Sequence, residues 1–179
     1  MSAEDHAAEA LQPLPDDARL WIFGSDRPLT EEEEELLLGR VDHFLEGWRA
    51  HGRPLAARRW WAYGRFLLVG VDESVAPPTG CSIDALGRTL REVEEATGLH
   101  LMEKADIWFR HDGAIHQVGR ASFREAAAQK EVDGDTIVFD PAITRVGELR
   151  AGRWERRVSE GWHARLLPVA GQVPAPREG

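Results

Sequence analysis

The 179-residue sequence predicts an α+β protein. Three observations point there. Short apolar runs closed by turn residues read as strands. Two longer segments repeat apolar residues at helical spacing. The strands and helices alternate irregularly, in the order β-α-β-β-α, rather than as strict βαβ units.

"ARLWIFGSD" (18–26) is a short apolar run ended by Gly and Asp, hence a strand. "RPLTEEEEELLLGRVDHFLEGWRAHG" then starts a helix. Thr30 is its expected N-cap, and Glu33, three residues on, completes a capping box. The acids Glu31–Glu35 sit where the positive end of the helix dipole favours them. Leu37, Val41, Phe44, Leu45 and Trp48 fall on one face, and Gly52 is the expected stop. His51 is expected to favour the negative helix end.

Two strands are expected around Gly64, over 56–63 and 65–72. The second is almost wholly apolar and reads as central. Alternation sends Trp60 and Trp61 to opposite faces, so one of them joins the core. After the loop "SVAPPTG", a helix is expected over Ile83–Thr97, with Ser82 as N-cap and Gly98 beyond its end. One further strand, "ADIWFR", would complete a ferredoxin-like β-α-β-β-α-β unit.

Asp112-Gly113 is a two-residue hairpin signal. It places His116 opposite Phe109, with His111 and His116 diagonal on one face. "ASFREAAAQK" suggests a helix capped by Ser122 with Glu125. "DTIVF" reads as a strand, "ITRVGELRAG" as a short helix and "SEGWHARLLP" as a packed terminal segment. The expected layout is therefore an acidic disordered tail over 1–17, an α+β core over 18–104, a small β-α-β annex over 105–168 packed on that core, and a disordered tail over 169–179.

Composition narrows the function classes. The net charge of −9 is unevenly placed: residues 1–35 hold 11 acids and two bases, and residues 36–179 hold 20 of each. A charge-neutral body disfavours a dedicated nucleic-acid binder, although "RRWWAYGR" interleaves bases with aromatics that can stack. No run is apolar enough to span a bilayer, and the acidic start lacks a signal-peptide pattern, so no membrane partner is expected. A single cysteine suits a reducing cytoplasm. The phosphate-loop, dinucleotide-binding, nucleophile-elbow and zinc-protease motifs are all absent, and no cofactor or metal is expected.

The chemistry candidates gather at "APPTGCSIDALGR" (76–88), between a central strand and a helix. Helix-start N–H groups stabilise anions and acidify a thiol. Gly80, Ser82, Asp84 and, at the strand end, Asp72 are the expected ligand-binding residues. This predicts a non-catalytic cytoplasmic binding or interaction protein with a small anionic-ligand pocket near the Gly80–Asp84 turn. The alternative is a thiol-dependent enzyme in which Cys81 attacks an acyl or disulfide substrate and His163 takes its proton. A plainer alternative makes Cys81 a small residue beside a helix cap.

"HGRPL", "RFLLVGVDES" with "GCSID", "DTIVFD", "GELR" and "WHARLL" together resemble an uncharacterised family of small bacterial cytoplasmic proteins. Some of its members carry the label "ABC transporter ATPase". The resemblance covers about residues 18–167 and implies no cofactor or catalytic residue. A transporter-associated ATPase is disfavoured here because the phosphate loop is missing. Residues 107–139 are also similar to GYF-type domains, in which an aromatic-rich strand pair precedes a capped helix and a short strand. That family often binds proline-rich peptides, but this chain lacks the full Gly-Tyr-Phe signature.

Overall fold

The structure is a computed structural model that describes residues 10–74, 80–101 and 106–168, without the side chains of Cys81 and Ser82. It is α+β, with antiparallel sheets and helices in two compact units. The first unit takes the chain up to Glu103 and again from Pro141 to Arg153; the second takes Lys104–Asp140 and the chain from Trp154 on.

In the first unit, β1 (Arg19–Gly24), β4 (Ala56–Ala62) and β5 (Phe66–Asp72) form a sheet of order β1-β5-β4. Trp21 pairs with Val69 and Phe23 with Leu67, so these residues share a face with Arg59 and Trp61 of β4. Helices α1 (Glu31–Gly47) and α2 (Gly80–Thr97) cover that face. Leu37 and Val41 of α1 join Leu86, Leu90 and Val93 of α2 over Leu67, Val69 and Val71. Removing such apolar area from water is the main driving force of the unit.

The sequence-level capping box is present: Thr30 Oγ1 accepts from Glu33 N–H, and the Glu33 carboxylate accepts from Thr30 N–H. Arg27 adds a two-pronged clamp on Glu33, with both N···O distances at 2.7 Å. Together these hydrogen bonds hold the Glu33 carboxyl down to about 2. Helix α1 ends at Gly47, earlier than expected. His51 and Gly52, at φ 50° and 76°, instead form the tight turn of a small ribbon, β2 (Arg49–Ala50) and β3 (Arg53–Pro54). Paired positive φ values are what a two-residue hairpin turn requires. His51 is therefore a turn residue, remote from any helix-dipole role. Trp60 and Trp61 do point to opposite faces, Trp60 buried and Trp61 half-buried.

The second face of this sheet carries Leu20, Ile22, Trp60, Leu68 and Gly70. Here the expected tail is corrected in part. Within residues 10–17, Leu11 and Leu14 are buried and lie against the Gly70 backbone. Arg150 fastens this segment, donating to the Leu11 and Leu14 carbonyls at 3.1 and 2.8 Å and pairing with Asp16. The apolar spacing Leu11–Leu14 is too short to register as periodicity, which is why composition alone misread it. Residues 1–9 and 169–179 lie outside the described residues.

"ADIWFR" does not extend the first sheet. Its strand β6 (Ile107–His111) pairs with β7 (Ala114–Val118) and β8 (Ile137–Phe139), and β9 (Glu155–Arg157) completes the order β7-β6-β8-β9. The outer edge of β1 is met by Thr144–Val146 instead. Leu20 N–H donates to the Thr144 carbonyl at 2.8 Å, and Val146 N–H donates to the Ala18 carbonyl at 3.0 Å. The short helix α4 (Val146–Arg150) follows.

The second unit folds α3 (Arg120–Ala128) onto its sheet through Phe123, which meets Phe109 edge-on at 5.4 Å. Asp112 and Gly113 form the expected two-residue turn, and His116 lies opposite Phe109. The Ser122 cap is corrected: Phe123 N–H bonds the Gly119 carbonyl, so the helix starts at Arg120 and Gly119 is the N-cap. Ser122 is an exposed residue inside the first turn. Glycine is itself an acceptable N-cap, a weaker sequence signal than Ser.

Candidate functional site

Strand β5 delivers the chain to one end of the first sheet, where Asp72, Glu73 and Ser74 follow one another. The Asp72 carboxylate accepts from Ser74 N–H at 2.8 Å, and this hydrogen bonding lowers the Asp72 pKa from its ordinary value. Asp72 is thus occupied in shaping the turn. The chain is described again from Gly80, which opens α2. The helix begins three residues before its expected start. Cys81 and Ser82 therefore belong to its first turn, and Ser82 is not the N-cap. Gly80 and Asp84 are exposed.

Beside the end of β5 lies an open recess of about 410 Å³ lined by Asp17, Glu73, Ser74 and Arg145. Arg145 Nη1 donates to the Asp17 carbonyl at 2.7 Å and to Glu73 Oε2 at 3.1 Å. Arg19 stands 4.0 Å from the other Glu73 oxygen. Arg145 is anchored by the bridge between β1 and residues 144–146 described above. Two guanidinium groups thus share one carboxylate. An ion pair this exposed contributes little stability, and its arginine can exchange partners at low cost. Planar guanidinium N–H groups match carboxylate and phosphate oxygens in pairs.

His163 lies in the packed terminal segment. It belongs to the second unit, in the 3-10 turn Trp162–Leu166, and is only 1% exposed. Its ring stacks on Trp162 at 3.9 Å and faces Phe123 at 6.4 Å. Burial is the main reason its imidazole is held down to about 4. Asp140 opposes that shift, whereas Arg156 and Arg120 reinforce it. A neutral, enclosed imidazole of this acidity is a poor proton acceptor near neutral pH. Nδ1 has no hydrogen-bond partner among the described residues. A methyl group added at Gly161 would lie 3.3 Å from that Nδ1 and 2.9 Å from Arg156 Nε, so an alanine there would require the Arg156 side chain to shift.

Comparison with family models, curated proteins and solved structures gives no match. The functional reading therefore rests on the geometry.

Among the described residues, no three His, Cys, Asp or Glu side chains converge on a common metal position. His111 and His116 do share a face, with ring centroids 5.9 Å apart. No helix among the described residues is long and apolar enough to cross a membrane. Sequence reasoning missed Arg145, Arg19 and Glu73 as a group. "ITRVGELR" carries no local signal of a site; only the pairing of residues 144–146 with β1 brings Arg145 to the end of β5.

Proposed function

We propose that the chain is a non-catalytic binding protein that takes a small anionic ligand at the carboxyl end of β5. The observation that carries this reading is Arg145, held in a recess by Asp17 and Glu73 and open to partner exchange. The start of α2 at Gly80 supports it, because first-turn N–H groups and the helix dipole favour negative charge. Ser74, in the recess, adds a hydroxyl that can donate to an anion. Asp17 and Glu73 would repel a dense polyanion, which favours a ligand with one carboxylate or phosphate group.

The single cysteine and the resemblance to small bacterial cytoplasmic proteins support a cytoplasmic setting. The thiol-enzyme alternative is the weaker reading, because His163 is enclosed in the second unit and held neutral.

Calorimetric titration with inorganic phosphate and with acetate tests the proposal. Binding should weaken by about tenfold or more in Arg145→Ala, the loss of one charge-assisted contact. Cys81→Ser should bind within a few-fold of the parent. The proposal fails if the parent binds neither anion. It also fails if Cys81 takes up an acyl group from a thioester at a rate that depends on His163.

A further inference from the structure

The Asp112-Gly113 turn, at φ 48° and 77°, pins the register of β6 against β7. In that register His111 lies opposite Ala114, and His116 lies opposite Phe109. Residues two apart on a strand share a face, so the two imidazoles are diagonal neighbours on one surface of the hairpin. Their ring centroids are 5.9 Å apart, and their planes meet at 69°. His111 is half-buried and His116 exposed, so solvent reaches both rings.

The surroundings hold these rings and set their charge. His116 stacks on Phe109 with centroids 5.5 Å apart, and Phe109 is itself buried against Phe123. His111 Nε2 stands 3.4 Å from the Asp112 carboxylate. A carboxylate beside one imidazole nitrogen raises the ring's basicity as a ligand. Arg110, next to His111 in the chain, alternates to the opposite face and pairs there with Glu155 at 2.9 Å.

These features discriminate between occupants. The Asp112 charge favours a cation over an anion. Two nitrogen donors favour zinc, copper or nickel over calcium or magnesium, which prefer oxygen. With metal–nitrogen bonds of about 2.1 Å, one ion can reach a nitrogen of each ring after the rings turn about χ2.

We propose that His111 and His116 form a two-imidazole site for a divalent transition-metal ion of the zinc–copper–nickel class. Water completes the coordination, and the Asp112 carboxylate lies beside the ion. The hairpin holds both donors on one face before the ion arrives, which cuts the ordering cost that a flexible pair would carry. All three residues belong to the second unit, and the site does not depend on the anion-binding reading.

Zinc chloride titrated into the full chain tests the site, followed by calorimetry and by the histidine side-chain resonances. Binding should saturate with a dissociation constant below roughly 0.1 mM, and the imidazole resonances of His111 and His116 should move together. Magnesium chloride at the same concentrations should leave them in place. His111→Gln and His116→Gln should each weaken zinc by about tenfold or more, because each removes one of two donors. His43→Gln, an exposed change on α1, should leave the affinity unchanged. The resonances are read on the parent chain, so the test stands even where a variant fails to fold. The proposal is overturned if zinc does not saturate, or if other histidines respond in place of His111 and His116. It is also overturned if either hairpin variant binds zinc as the parent does, or if His43→Gln weakens binding as much as they do.

Discussion

Leu14 packs directly on the bare backbone of Gly70: a methyl group placed on Gly70 would lie 2.6 Å from Leu14 Cδ1. The N-terminal segment is therefore part of the first unit's structure, fitted to a glycine in the central strand. Val146 Cγ2 would lie 3.5 Å from the same methyl, so α4 shares the contact.

Gly70→Ala should cost about 1–3 kcal/mol by overpacking. Leu14→Ala should cost about 2–4 kcal/mol by leaving a cavity. The two changes together should cost less than the sum of the singles, because the smaller side chain at position 14 accommodates the new methyl. Chemical denaturation of the four proteins checks this. Strict additivity would mean that residue 14 does not press on residue 70. Deleting residues 1–17 should lower the melting temperature by several degrees, since Leu11, Leu14 and the Arg150 clamp go together.

His163 gives the fold an acid-sensitive point. Its folded pKa is about 4, against an ordinary value of 6.5. The unfolded chain takes up a proton as pH falls below 6.5, whereas the folded chain resists until about 4. The stabilisation is therefore complete above the unfolded value and is lost as pH falls through that window. The slope is at most about 1.4 kcal/mol per pH unit for one such group. His163→Gln should lower stability at neutral pH and flatten the decline between about pH 7 and about pH 4.5, as measured by urea unfolding. An unchanged slope would place the acid sensitivity elsewhere.

The helix caps separate by cost. Thr30→Ala should destabilise by about 1 kcal/mol, because it removes an observed acceptor for the Glu33 N–H. Ser122→Ala should change stability by no more than about 0.5 kcal/mol, since Ser122 is exposed and caps nothing. Equal losses at the two positions would contradict the helix starts described above.

Most elements were legible in the sequence because their signals are local. The Thr30–Glu33 box, the apolar run of β5 and the Asp112-Gly113 turn each lie within a few residues, and all three formed as read. What was not legible depends on long-range partners. "ADIWFR" has the composition of a strand, but composition does not say which sheet it joins. The Leu11–Leu14 pair gains meaning only from Gly70, far along the chain. Of the candidate site, Arg145 reaches the end of β5 through a pairing that no local pattern predicts, and neither Asp72 nor Gly80 is among the described residues that line the recess there. His163 was rightly read as belonging to a packed segment, but its burial makes it a core residue of the second unit.

The most direct measurement titrates inorganic phosphate into isotope-labelled protein and follows the backbone amide and arginine Nε resonances. The account predicts shifts centred on Glu73, Ser74, Gly80 and Arg145 that saturate together with one dissociation constant and vanish in Arg145→Ala. Shifts that centre on other arginines, persist in Arg145→Ala or never saturate would contradict an anion site at the end of β5.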